Sequence, residues 1–210
     1  MSESISQQRL DELWDFDDPA LSEKRFRAAI GGLVPSSVAA AELKTQLARA
    51  LGLQGRFAEA VALLDSIPDP EGVVAARVLL ERGRLRNSAG RATEAIPLFE
   101  SALLIASAEE QPFLVIDAAH MLAIADPGRA AHWTARALET VDETEDARTK
   151  RWAVSLRNNL GWNLFDAGDL MGALAEFELA ADAARDFGTP AQQRQAQDAI
   201  DETVKALGRG

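Results

Sequence analysis

The sequence predicts an all-α fold, a stack of antiparallel helical hairpins, and three observations carry that prediction. Apolar residues recur at three- and four-residue steps, and no segment shows the sustained alternation of a strand. A turn motif repeats: Gly55-Arg56-Phe57-Ala58-Glu59-Ala60 returns as Gly90-Arg91-Ala92-Thr93-Glu94-Ala95 and as Gly168-Asp169-Leu170-Met171-Gly172-Ala173. Each copy closes one apolar-periodic helix and opens another, the signature of a repeat architecture. Hydrophobic residues make up 47% of the 210, with alanine abundant, as closely approaching helices require.

The elements follow in order. Residues 1–40 read as a first hairpin, Leu10 to Phe16 and Pro19 to Ile30. Leu43, Leu47, Ala50 and Leu51 form the next stripe, and Ala60, Leu63, Leu64 and Ile67 the one after. Pro68-Asp69-Pro70 stops that helix, because proline lacks the amide donor and disfavours helix in the residue before it. Helices are then expected at about 72–88 and 93–106, and from the Glu109–Pro112 start to about 125. Asp126-Pro127 reads as an N-cap with proline at the first helical position, opening a helix to about 141. The polar stretch 142–150 reads as a longer loop or a solvated helix start. Helices at about 151–167 and 170–187 follow. Gly188-Thr189-Pro190 breaks the chain before a polar last helix at about 191–207, suited to capping a stack whose end faces water. No linker divides the chain, so a single domain over 1–210 is expected: hairpin 1–40, core repeats 41–187, cap 190–210.

The formal net charge of −11 repels phosphate backbones and anionic lipid, so nucleic acid and membrane surfaces are poor partners. With no cysteine there are no disulfides, thiolate metal sites or thiol nucleophiles. No apolar run reaches the length of a transmembrane helix, and the N-terminus has no basic or apolar leader region. A cytoplasmic protein is expected. There is no Gly-x-x-x-x-Gly-Lys phosphate loop and no Gly-x-Ser-x-Gly elbow. Two histidines and no tyrosine offer little acid–base machinery, so no enzymatic activity and no cofactor are expected.

In register, these residues resemble the tetratricopeptide repeat (TPR), of the small bacterial type, which pairs two helices in about 34 residues. With repeats starting at Ala41, Ala76 and Val154, the small position 8 is Ala48, Gly83 and Gly161, and position 15 is Gly55, Gly90 and Gly168. Position 20 is Ala60, Ala95 and Ala173. Position 24 is Leu64, Phe99 and Phe177, and position 27 is Ile67, Ala102 and Ala180. The stretch from Asn158 to Ala180 matches best. The hairpin 112–138 fits loosely, with Ala119 and Ala131 as its crossing pair. Arg82 stands where the family buries position 7, and Arg86 and Arg157 also depart from the pattern. The resemblance implies a right-handed superhelical solenoid of antiparallel helix pairs.

It also implies a concave groove lined by the first helix of each repeat. Carried over by position, the groove residues are Gln46 and Arg49, then Arg77, Glu81, Arg84 and Asn87, then Asp117 and His120, then Asn158, Asn159, Trp162 and Phe165. Such a mix suits an extended peptide: amides bond its backbone, arginine forks its carboxylates, and aromatics supply buried area. Thr45 and Arg49 do not match the family's carboxylate-clamp set, so that specificity is not expected.

Each of these signals has a plainer reading. Arg77, Arg82, Arg84, Arg86 and Arg91 suggest a site for an acidic ligand. They equally suit a solvated face paired with Glu81 and Glu94, or a contact with the acidic N-terminal segment (Asp11, Glu12, Asp15, Asp17, Asp18). Asp117 and His120 are three apart on one helix, but two ligands do not make a metal site, and no metal is expected. Trp14, Trp133 and Trp152 suit packing, while Trp162 suits packing and groove alike. The expectation is a non-catalytic adaptor or scaffold for a protein or peptide ligand, the arginines favouring one with an acidic segment. A ligand-responsive sensor and a self-associating structural subunit, a homo-oligomer, are the alternatives.

Overall fold

The computed structural model describes residues 4–208, and every element among them is helical. The chain divides into two compact units, Met1–Leu114 and Val115–Gly210. The boundary falls inside a helix, so no Pro-, Gly- or Ser-rich linker announces it in the sequence.

The first unit runs α1 (Gln7–Leu13), α2 (Pro19–Gly31), α3 (Val38–Leu53), α4 (Phe57–Asp65), α5 (Gly72–Ser88) and α6 (Ala92–Ala108). Side-chain caps set three of these starts, with Ser6, Asp18 and Ser37 each accepting a first-turn amide. Consecutive helices pack as hairpins, α2 on α3, α3 on α4 and α5 on α6, and α3 also packs along α5. The core gathers Leu10, Phe26, Leu43, Leu47, Leu51 and Leu64.

The second unit opens within α7 (Pro112–Ala125), followed by a 3-10 turn (Pro127–Arg129), α8 (Ala130–Glu143), α9 (Ala147–Lys150), α10 (Trp152–Asp166), α11 (Leu170–Phe187) and α12 (Pro190–Leu207). α10 packs on α11, α11 on α12, and α8 on α10. Asp126 is an N-cap with Pro127 in the first turn as expected, but of a 3-10 turn rather than of α8, and without a side-chain cap bond. The Asp126 carboxylate instead accepts from Arg129 Nε at 2.6 Å and from the Trp133 indole at 3.5 Å, and the chain takes a 3-10 turn before α8. The polar stretch 142–150 resolves into a short loop and α9, capped by Asp146 on the Thr149 amide. α12 buries only Ala196, Ala199 and Thr203 and starts with a full capping box between Thr189 and Gln192.

The three repeated turns have one geometry. Gly55, Gly90 and Gly168 sit at φ of 75°, 73° and 85°, the left-handed region where a Cβ is penalised. Around them the same bond recurs: Arg56, Arg91 and Asp169 donate their amides to Leu51, Arg86 and Leu164 carbonyls at 3.0, 3.0 and 2.9 Å. This is the Schellman closure of a helix. A fourth copy joins α6 to α7, where Gln111 donates to the Ala106 carbonyl at 2.9 Å with Glu110 at φ 52°. A glutamate in the glycine position is why the glycine pattern passed over it.

The hairpin crossings explain the small residues. A Cβ on Gly83 would lie 2.3 Å from Cε1 of Phe99, and one on Gly161 would lie 2.5 Å from Cε1 of Phe177. Both rings are fully buried. The matching positions of α3 and α4 hold Ala48 and Leu64: the smaller partner leaves room for a methyl. Arg82, at the position expected to be buried, is exposed and pairs with Asp65 at 2.7 Å.

Candidate functional site

Two surfaces collect the residues singled out by repeat position, one in each unit. In the first unit the facing sides of α3 and α5 carry an unusual density of buried polar groups. Glu42, Thr45, Gln46, Arg77 and Glu81 are all buried there. A buried charge is tolerated only when paired and hydrogen-bonded. Here the partners come largely from the N-terminal segment. The Glu42 carboxylate is fully buried and accepts from Ser4 Oγ at 2.8 Å and from the Ile5 amide at 2.8 Å. Arg77 Nε stands 3.4 Å from the same carboxylate, and Arg77 Nη2 donates to Gln7 Oε1 at 2.9 Å.

The contact continues along α3. Trp14 Nε1 donates to Gln46 Oε1 at 3.0 Å. The Trp14 and Phe16 rings stack at 4.6 Å, and the Arg49 guanidinium lies 5.6 and 5.4 Å from their centres. This is a two-ring cation–π contact. Arg84 pairs with Glu81 on the same helix. Asn87 is half-buried near the end of α5. The rest of the arginine run lies on the exposed side: Arg86 and Arg91 share Glu94 at 3.7 and 3.6 Å. Such exposed pairs are worth about 0.2–1 kcal/mol each.

In the second unit α7, the 3-10 turn, α8 and α10 enclose an open cleft of about 580 Å³. His120, Asn159 and Trp162, all expected groove residues, line it. So do Ile124, Ala131, Leu160 and Asn163, which repeat position alone did not select. The His120 ring rests 5.4 Å from that of Trp152. Trp162 packs edge-on against Phe177 at 5.0 Å and Phe165 at 5.3 Å, so it is at once cleft wall and core. Phe165 turns to a separate concavity of about 440 Å³ beside Asp201, Glu202 and Lys205 of α12. Asp117 is buried, 4% exposed, rather than groove-lining.

Asn158 is also buried, and its Oδ1 has no hydrogen-bond partner among the described residues. It borders a small pocket of about 80 Å³ with Gln192 and Gln195 of α12. At the cleft's edge the Arg129 hydrogen bond, with the Trp133 indole, holds the Asp126 carboxyl below the usual aspartate range. Among the described residues no cluster of three or more His, Asp or Glu side chains could hold a metal ion. No helix among the described residues is long and apolar enough to cross a membrane.

The signal for the first-unit surface was present in the sequence but was split between two observations. Glu42 and Arg77 occupy position 2 of successive repeats with opposite charge, and the N-terminal segment carries a tryptophan flanked by carboxylates. Neither observation alone places the segment on the helices.

No family model matches the sequence, and the comparison with curated proteins gives no match. The structure is similar to the crystal structure of BtubC (BKLC) from P. vanneervenii, with a TM-score of 0.66 and 20% identity over 95% of this chain and 84% of that one. At that identity the likeness shows the fold and nothing beyond it.

Proposed function

We propose that the chain is a non-catalytic TPR-type protein, its helix pairs forming an α-solenoid, that binds an extended segment of a protein partner in the cleft of the second unit. The observation that carries this reading is the convergence of His120, Asn159 and Trp162 on one open cleft of about 580 Å³, within the usual range for ligand sites. The wall chemistry suits a peptide. The Asn159 and Asn163 amides can meet the donors and acceptors of an extended backbone. Ile124, Leu160 and Trp162 offer apolar area for a side chain of the partner. The TPR assignment is supported by the three matched glycine turns and by the paired Gly83–Phe99 and Gly161–Phe177 crossings.

The test uses side chains that the fold does not need. Ile124 is 48% exposed, so Ile124→Arg fills the cleft with charge and leaves the core intact. A partner captured by the wild-type chain is purified and titrated against wild type and Ile124→Arg. The expected result is at least a tenfold weaker Kd for the variant, with an unchanged melting midpoint. Equal affinity would retire the cleft as the binding site.

A further inference from the structure

We infer that the face between α3 and α5 is a second peptide-binding groove and that residues 4–14 of the same chain are its displaceable occupant. This rests on the reading of the chain as a peptide-binding protein, and it assigns that role to a different surface.

The lining is the first argument. An element that merely completes a core is met by apolar side chains, since unpaired polar groups in an interior are costly. Residues 4–16 seat Leu10 and Leu13 in the apolar core, but beside these leucines lie a carboxylate, a guanidinium, a hydroxyl and an amide: Glu42, Arg77, Thr45 and Gln46, all buried. Thr45 is satisfied within α3 by the Glu42 carbonyl, while Glu42, Arg77 and Gln46 bond to features of a generic peptide. One is a main-chain amide, that of Ile5 on Glu42. Others are a hydroxyl, Ser4 on Glu42, and a side-chain amide, Gln7 on Arg77. Trp14 and Phe16 complete the set, over Gln46 and Arg49. The groove therefore selects a short segment with a hydroxyl or main-chain donor at one end and an aromatic ring at the other.

The second argument is how lightly the occupant is tied. α1 has seven residues and buries Leu10 and Leu13, and to either side of it Ile5 and Trp14 are only partly buried against the core. α1 is too short to persist as an isolated helix. Its C-terminal end is fixed: Ser22 Oγ accepts the Asp15 amide at 2.7 Å and donates to the Asp15 carbonyl at 2.8 Å. That clasp marks a hinge. Residues before it can swing away while α2 stays in place, exposing Glu42 and Arg77 to an incoming segment of the same chemistry. Occupation in cis then sets the threshold for any ligand in trans, because the apparent Kd is the intrinsic Kd divided by the competent fraction.

The experiment titrates a labelled peptide of residues 4–14 onto full-length wild type and onto the full-length variant Leu10→Asp/Trp14→Ala, whose own segment is released. The variant should bind the peptide at least tenfold more tightly than wild type, and adding Arg49→Glu should abolish that binding. Ile124→Arg should leave this titration unchanged, so failure of the second-unit cleft does not touch it. A variant that keeps its helical signal and binds no better than wild type overturns the inference. If the variant loses its helical signal, hydrogen exchange on wild type decides. The Leu10 and Trp14 amides should exchange at least tenfold faster than interior amides of α3. Exchange of both sets in one concerted event would overturn the inference.

Discussion

The first unit presents its repeat-defined face covered, whereas the second presents its own open. In the repeat register read from the sequence, position 6 is Gln46 in α3 and Asn159 in α10. Gln46 is buried under the Trp14 indole, and Asn159 lines a cleft. At position 9 Arg49 lies under two aromatic rings of the N-terminal segment, while Trp162 lies on rings of its own unit. The helical register fixes which way a side chain leaves its helix. What it then meets depends on segments outside the repeat. A groove position is thus a direction, and accessibility is a separate property set by whatever chain lies over it.

The largest expected effect tests whether the covered face is an integrated polar interior. Arg77→Ala leaves the fully buried Glu42 without its guanidinium. Breaking a buried pair in this way costs about 3–5 kcal/mol. Asn158→Leu in the second unit should be within about 1 kcal/mol of neutral, since it removes an amide whose Oδ1 is already unsatisfied. Urea unfolding followed by circular dichroism measures both. Similar costs for the two substitutions would erase the contrast between the units. Arg77→Met/Glu42→Gln should recover most of the loss, because the desolvated charges leave together.

The next effect asks whether the hairpin crossings of the two units are equivalent. Gly83→Ala and Gly161→Ala each place a methyl inside contact distance of a buried phenylalanine ring. Overpacking of this kind costs about 1–3 kcal/mol, offset in part by the roughly 1 kcal/mol by which alanine outdoes glycine in a helix. The decisive variant is Gly83→Ala/Phe99→Leu, which copies the Ala48 and Leu64 pair of the preceding repeat. It should be more stable than Gly83→Ala alone. A double variant less stable than the single would show that these pairs are not exchangeable units.

Much of the helical layout is legible because its causes are local. Glycine at φ near 75°, proline at a first turn and a 3.6-residue apolar stripe each act within a few residues. The boundaries of α5 and α11 follow from such signals alone. The α6–α7 break is placed by Glu109–Pro112, but its likeness to the three glycine turns escaped because Glu110 accepts a left-handed conformation that glycine usually announces. The site was legible only as a set of directions. That Ser4 and Gln7 reach Glu42 and Arg77 depends on contacts between residues 38 and 70 positions apart, which no local pattern encodes. The open cleft shows the same limit, since Ile124 and Asn163 join it through tertiary packing.

The smallest effect concerns acid. In the first unit Glu23 of α2 is a hub, accepting from Gln54 at 3.0 Å and pairing with Arg56 at 2.6 Å and Arg27 at 2.8 Å. Partial burial raises its carboxyl pKa, but the Gln54 and Arg27 hydrogen bonds and the Arg56 and Arg27 charges outweigh it, leaving the value lowered. In the second unit the lowered carboxyls are local. Asp146 is held down by hydrogen bonds from Thr149, and Asp126 by that from Arg129, each within one turn. A lowered folded pKa means stability that is fully present above the unfolded value and is lost as pH falls through the folded one. The window therefore lies below about pH 4. Acid should loosen the tie from α2 to the α3–α4 turn, whereas the Asp146 contacts release only their own turn and those of Asp126 reach no further than Trp133 in the adjoining α8. The melting midpoint should fall between pH 6 and pH 3, and Glu23→Gln should flatten that fall more than Asp126→Asn does. Equal flattening by the two would mean that the long-range hub carries no more pH-dependent stability than a single-turn contact.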